Sequence, residues 1–207
     1  MAPAKGAVDR AQHRLSSYRT VVCTSLDRGQ WYRSRTDATL MSQNFTMADV
    51  SAKPQTRRRA LARGRLKLGT KAFEAVRSGT VPKGDPLAMA EIAGIQAAKM
   101  TPQLLPLCHP ISLSRVSIHH RLDETDHTVI VYALAEITER TGVEMEALTG
   151  LNIALLTLWD LCKPLNAALA IEDVRLLYKS GGKQGEWKNP EGLDAEAKML
   201  LGEAPEA

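Results

Sequence analysis

The 207-residue chain is 44% hydrophobic and 24% charged, a soluble globular balance with length for one well-buried domain, and its 4% aromatic content leaves the core to aliphatic residues and Met. No apolar run approaches the roughly 18 residues of a membrane span and no continuous apolar stretch marks a secretory leader, so a cytoplasmic protein with no membrane partner is expected. The net charge of +4 lies within residues 1–40, where seven Lys and Arg face three Asp without clustering or aromatic interleaving; this predicts a disordered basic extension and no nucleic-acid partner.

Regular patterning begins near Met41, so the domain is expected over 41–207, with a flexible C-terminal tail after about residue 187. Residues 60–68 alternate Ala60, Ala62, Leu66 and Leu68 with Leu61, Arg63, Arg65 and Lys67, the period of a strand with one solvated face. Thr70 then serves as the expected cap of a short helix carrying Ala72, Phe73 and Val76 and closed by Gly79. Asp85-Pro86 supplies an N-cap and a first-position proline for a helix that runs to Lys99 and ends before Pro102. Residues 112–122 and 128–138 read as two strands joined by the short polar turn Asp123–His127, a hairpin. From Glu144 to Lys163 apolar residues recur at helical spacing up to Pro164, and a last strand covers 171–179. The order is that of a β-α-β-β-α-β unit with an added helix, an α+β ferredoxin-like sandwich.

Four groups of residues can carry chemistry. Asp160 and Lys163, three apart on one helix, share a face. They read either as a surface ion pair or, flanked by Leu158, Trp159, Leu161 and Cys162, as an embedded pair with pKa values moved towards neutrality for proton transfer. His109, in the proline-bracketed segment LLPLCHP, is a proton carrier, a substrate donor or a structural histidine. Glu144 and Glu146 are either first-turn acids or acceptors for a guanine-type ring edge. If one helix runs throughout, 14 residues place Glu146 and Asp160 about 21 Å apart along its axis, too far for one small-molecule site within one subunit. Lys53, Arg58, Lys83, Lys179 and Lys183, several beside glycines, suit phosphate or form a solvated basic face. Cys23, Cys108 and Cys162 lack the spacing of a disulfide framework, and no second Cys/His pair completes a metal site.

The segments MADVSAKPQTRR (47–58), KGDPLAMAEIAGIQAAK (83–99), LLPLCHP (104–110), TGVEMEALTG (141–150), LWDLCK (158–163) and VRLLYKSGGKQG (174–185) resemble, in order, the MoaC family, the cyclic pyranopterin monophosphate synthases of molybdenum cofactor biosynthesis. The resemblance implies a ferredoxin-like subunit in a homohexamer, a trimer of dimers with active sites between subunits. It implies a phosphorus-oxygen lyase acting on (8S)-3′,8-cyclo-7,8-dihydroguanosine 5′-triphosphate, which a radical-SAM partner makes from GTP. The products are cyclic pyranopterin monophosphate and pyrophosphate, with no metal and no organic cofactor implied. The catalytic aspartate and lysine fall on Asp160 and Lys163, and substrate contacts on Leu107, Cys108, His109, Met145 and Glu146. Lys83 and Lys179 match functionally important lysines, and Arg58 with Lys53 sits where triphosphate binding is expected. Ala48 stands where Val is usual and Trp159 where Tyr is common, and neither change removes a functional group. The competing reading is a non-catalytic ferredoxin-like module that holds nucleotide or RNA.

Overall fold

The computed structural model describes residues 45–203, so the extension expected over residues 1–40 lies outside the described residues. Strand β1 (Thr56–Lys67) is followed by helices α1 (Thr70–Ser78), α2 (Pro86–Lys99) and the short α3 (Thr101–Leu104). Strands β2 (Arg115–Asp123) and β3 (Thr128–Glu139) precede the long helix α4 (Glu144–Cys162), and then come β4 (Ala170–Ser180), the two-residue β5 (Trp187–Lys188) and α5 (Ala195–Leu201). The sheet order is β2-β3-β1-β4-β5, with every pairing antiparallel. Strands β1 to β4 thus form the two interlocked split βαβ units of the ferredoxin-like sandwich, and β5 extends one edge.

Local chemistry explains most of these boundaries. Asp85 caps α2, its Oδ1 accepting from the amides of Leu87 and Ala88, with Pro86 in the first turn. Gly79 ends α1 in the left-handed conformation that leaves its amide free to bond Ala75 and Val76 carbonyls. The cap expected at Thr70 is not formed: Thr70 is already helical, and Gly69, at φ 69°, precedes it without a side-chain bond. The hairpin forms as expected, with Leu122 opposite Val129 and Asp123 opposite Thr128.

The period of two along the strands buries both faces of the sheet. Ala60, Ala62 and Leu66 of β1 and Val129, Val131, Ala133 and Ala135 of β3 join Leu151, Leu155 and Leu158 of α4 in the main core. Their sequence neighbours Leu61, Ile130, Tyr132 and Leu134 point the other way, under Ala197 and Leu201 of α5. The face expected to be solvated is therefore covered in part, and residues 195–201 form a docked helix where patterning ended near 187. Asp194 fixes this helix three ways. It caps α5 at the Ala197 amide (2.8 Å), accepts from the Tyr132 hydroxyl (2.7 Å) and pairs with Arg63.

Helix α4, at 19 residues, has the length and apolar composition of a membrane span. Its apolar character is spent inside the fold, where Ala147, Leu151, Ala154, Leu155 and Leu158 are buried against the sheet and α2. Helices α2 and α4 approach closely because glycines meet at their crossing. A Cβ on Gly150 would stand 2.9 Å from the Gly94 carbonyl oxygen, and one on Gly94 would stand 2.9 Å from that of Gly150.

Candidate active site

The close antiparallel packing of α2 on α4 brings the turn before α2 to the last turn of α4, and so Lys83 to Asp160. Lys83 Nζ lies 3.0 Å from Asp160 Oδ2 and also donates to the Asp160 carbonyl at 3.1 Å. Lys163 Nζ lies 2.7 Å from Oδ1. Each oxygen of one carboxylate is thus held by a different ammonium group.

The hydrogen bond from Lys163, then that from Lys83, keeps the Asp160 carboxyl below its ordinary range. Of the two readings of this pair, the structure gives the surface ion pair and not the embedded pair moved towards neutrality. The side chains of Lys83, Asp160 and Lys163 are 42%, 55% and 57% exposed, so burial does little and two adjacent cations favour the charged carboxylate. Beside the trio, Leu156 and Trp159 form an apolar wall of one shallow cleft with Asp160, Lys163 and Ala167. Cys162, next to Lys163 in sequence, points into the core, where burial pushes its thiol up to about 11.

The other end of α4 carries most of the remaining candidates. Glu146 is buried at 3% exposure, and that burial, reinforced by nearby Glu144, raises its pKa above 4.5. Cys108 is half-buried, and its thiol is raised by desolvation and then by the charge of Glu146, which places the two within electrostatic reach. Leu107 and Met145 are exposed at 48% and 42%, apolar surface next to these polar groups. His109 Nε2 bonds the Ala48 carbonyl oxygen at 2.7 Å and so ties the segment that carries Lys53 to the LLPLCHP loop.

Lys53, Arg58 and Lys179 meet in a cleft of about 490 Å³, together with Thr56, Gly142, Glu144 and residues 180–185. Arg58 is braced by Nε and Nη2 on the carbonyls of Glu139 and Arg140. The loop closes tightly on β1: a Cβ on Gly181 (φ 99°) would stand 2.3 Å from the Arg57 carbonyl oxygen, and one on Gly182 (φ 73°) 2.4 Å from Arg58 Nη1. Glycine at both positions lets backbone and guanidinium line one wall, as an anion site needs. Among the described residues, no group of three or more His, Cys, Asp or Glu gathers as a metal site would require.

The structure therefore brings the predicted residues together in two groups. Asp160, Lys163 and Lys83 stand at the C-terminal end of α4, while Glu146, Met145, Cys108, Lys179, Arg58 and Lys53 belong to its N-terminal end. The helix between them is unbroken, so the separation of about 21 Å along the axis stands.

A sequence model of the MoaC family matches residues 47–182, two thirds of the chain and both groups of residues. The chain belongs to the MoaC family. It is 49% identical over 141 residues to the cyclic pyranopterin monophosphate synthase of Heliobacterium modesticaldum, covering 68% of this chain and 89% of that protein. Against the protein of the same name from Pelobacter propionicus it is 45% identical over 151 residues, 73% of this chain and 94% of that one. Molybdenum cofactor biosynthesis protein 1 of Mus musculus is 44% identical over 142 residues, 69% of this chain and 22% of the mouse protein. The MoaC match ends before β5 and α5.

Burial of Glu146 carries a pH signature. Its folded pKa lies above the ordinary value of 4.5, so the native state holds this proton more tightly than the unfolded chain, and stability falls as pH rises through the interval above 4.5. Glu146→Gln, which cannot ionise, is expected to gain thermal midpoint relative to the parent as the buffer moves from about pH 4 to about pH 7. Paired melts across that range check the sign.

Proposed function

We propose that the chain is a cyclic pyranopterin monophosphate synthase that converts (8S)-3′,8-cyclo-7,8-dihydroguanosine 5′-triphosphate to cyclic pyranopterin monophosphate with release of pyrophosphate, in molybdenum cofactor biosynthesis. A radical-SAM enzyme acting on GTP supplies the substrate. The observation that carries this reading is the Lys83–Asp160–Lys163 trio, set in a chain that matches the family from β1 to β4.

In the mechanism we infer, Asp160 stays ionised and holds both ammonium groups at the reacting centre, so the mobile protons reside on lysine nitrogens. One of the two ammonium groups donates its proton as the substrate ring opens, and the same nitrogen takes a proton back from the substrate as the pyranopterin forms, so both lysines end the turnover as they began it. Lys179, Arg58 and Lys53 hold the triphosphate and stabilise the charge that develops on departing pyrophosphate as the cyclic phosphate closes. Cys108, His109, Met145 and Glu146 recognise the pterin end, with Leu107 beside them.

The two groups act together when α4 of one subunit delivers Asp160 and Lys163 to a neighbour's N-terminal end. Two features support such assembly, and with it the homohexamer. The trio is exposed beside the apolar wall of Leu156 and Trp159, and Met89 and Ile92 of α2, with Met100 just after it, are open to solvent. The compartment consistent with these intermediates is the cytoplasm.

Incubating the protein with the cyclic nucleotide and following pyranopterin phosphate and pyrophosphate tests the reaction. Stoichiometric release of both supports it. Salt-sensitive binding of nucleotide or RNA without turnover would favour a non-catalytic module instead.

A further inference from the structure

The described residues that line the phosphate-suited cleft include four cations, Lys53, Arg58, Lys179 and Lys183, and one carboxylate, Glu144. That carboxylate faces the cations. Its Oε1 lies 3.2 Å from Lys179 Nζ, with the two side chains only 29% and 33% exposed. Its other oxygen folds back over Gly142, where a Cβ would stand 1.8 Å from Oε2, so the glycine provides the space that this side-chain position occupies. A helix acid that served only the α4 dipole would need neither the lysine 35 residues away nor this fold-back.

We propose that Glu144 competes with the substrate's phosphate chain for Lys179, giving way when the polyphosphate enters and re-forming the ion pair as pyrophosphate leaves. The inference rests on the cleft being the triphosphate site. Each exchange swaps one anionic partner of Lys179 for another, so the ammonium is never left unpaired in a half-buried site, and the carboxylate limits how tightly the product is held. Substrate binding costs some affinity for this, and product release gains speed.

The test is titration of inorganic pyrophosphate into the intact protein at fixed ionic strength. Glu144→Gln is expected to bind pyrophosphate about tenfold more tightly than the parent chain. Gly142→Ala, whose new methyl group meets first the end of the flexible Glu144 side chain, is expected to shift affinity in the same direction by a smaller factor. In a Lys179→Ala background the gain from Glu144→Gln should vanish, because the competition needs the lysine.

Unchanged or weaker binding in both single variants overturns the proposal, as does an equal gain with and without Lys179, which would report general charge removal. If Lys179→Ala itself leaves pyrophosphate affinity unaltered, the assignment of the cleft fails first, and the competition with it.

Discussion

Asp160→Asn is expected to lower product formation by about two to four orders of magnitude while leaving the fold in place. The neutral amide keeps the shape of the carboxylate and loses the charge that holds Lys163 at 2.7 Å and Lys83 at 3.0 Å. Both ammonium groups then repel each other and move apart, and the proton donor and acceptor lose their common orientation. Because the three side chains are exposed, the thermal midpoint should barely move. Single-turnover assays beside melting curves separate the two effects, and a variant that retained near-parental turnover would remove Asp160 from the chemistry.

The second large effect concerns the crossing of α2 and α4. Even the single methyl group of Gly150→Ala would press on the Gly94 carbonyl oxygen at 2.9 Å, and backbone cannot swing aside as a side chain does. Alanine should therefore cost about 1 to 3 kcal/mol, and Gly150→Val, with two further carbons, more than about 3 kcal/mol. The consequence reaches the active site, because the same helix contact sets how far Lys83 stands from Asp160. Alanine, expected to remain folded, should lose turnover as well as stability, and urea unfolding together with activity on the same sample measures both. Parental stability in Gly150→Val would show that the helices have room the structure does not give them.

Much of this architecture is legible from local patterns. Asp85-Pro86 names a helix start because cap and first turn are adjacent in sequence, and Gly79 names a helix end for the same reason. The period of two in β1 separates Ala60 and Ala62 from Leu61 and Arg63 correctly, yet it cannot say what covers the second face. That role falls to α5, seven residues too short for a convincing helical period, whose anchors Tyr132 and Arg63 lie 62 and 131 residues away from Asp194. Thr70 misleads because threonine before an apolar run resembles a cap, whereas the chain enters α1 from a glycine at positive φ.

The active site divides in the same way. Asp160 and Lys163 are neighbours by helical spacing, and the distance from Glu146 follows from helix rise alone. That Lys83 joins them, 77 residues earlier, depends on α2 packing on α4, which no local pattern encodes. Glu144 reads as a first-turn acid or a base-recognising carboxylate, and only the folded chain sets it on Lys179. Helical spacing offers the exposed Asp160–Lys163 ion pair as one of two readings, and the choice between them needs the fold, since apolar sequence neighbours do not reveal that the side chain points to solvent.

In the proposed assembly, the two ends of α4 belong to different subunits in each working site. Mixing Asp160→Asn chains with Lys179→Ala chains under conditions that exchange subunits tests it directly. If sites form across a twofold interface, mixed dimers carry one doubly altered site and one intact site, and turnover should recover to about a quarter of the parental value from two inactive preparations. Activity that stays at the level of the separate variants after verified exchange would contradict the shared site.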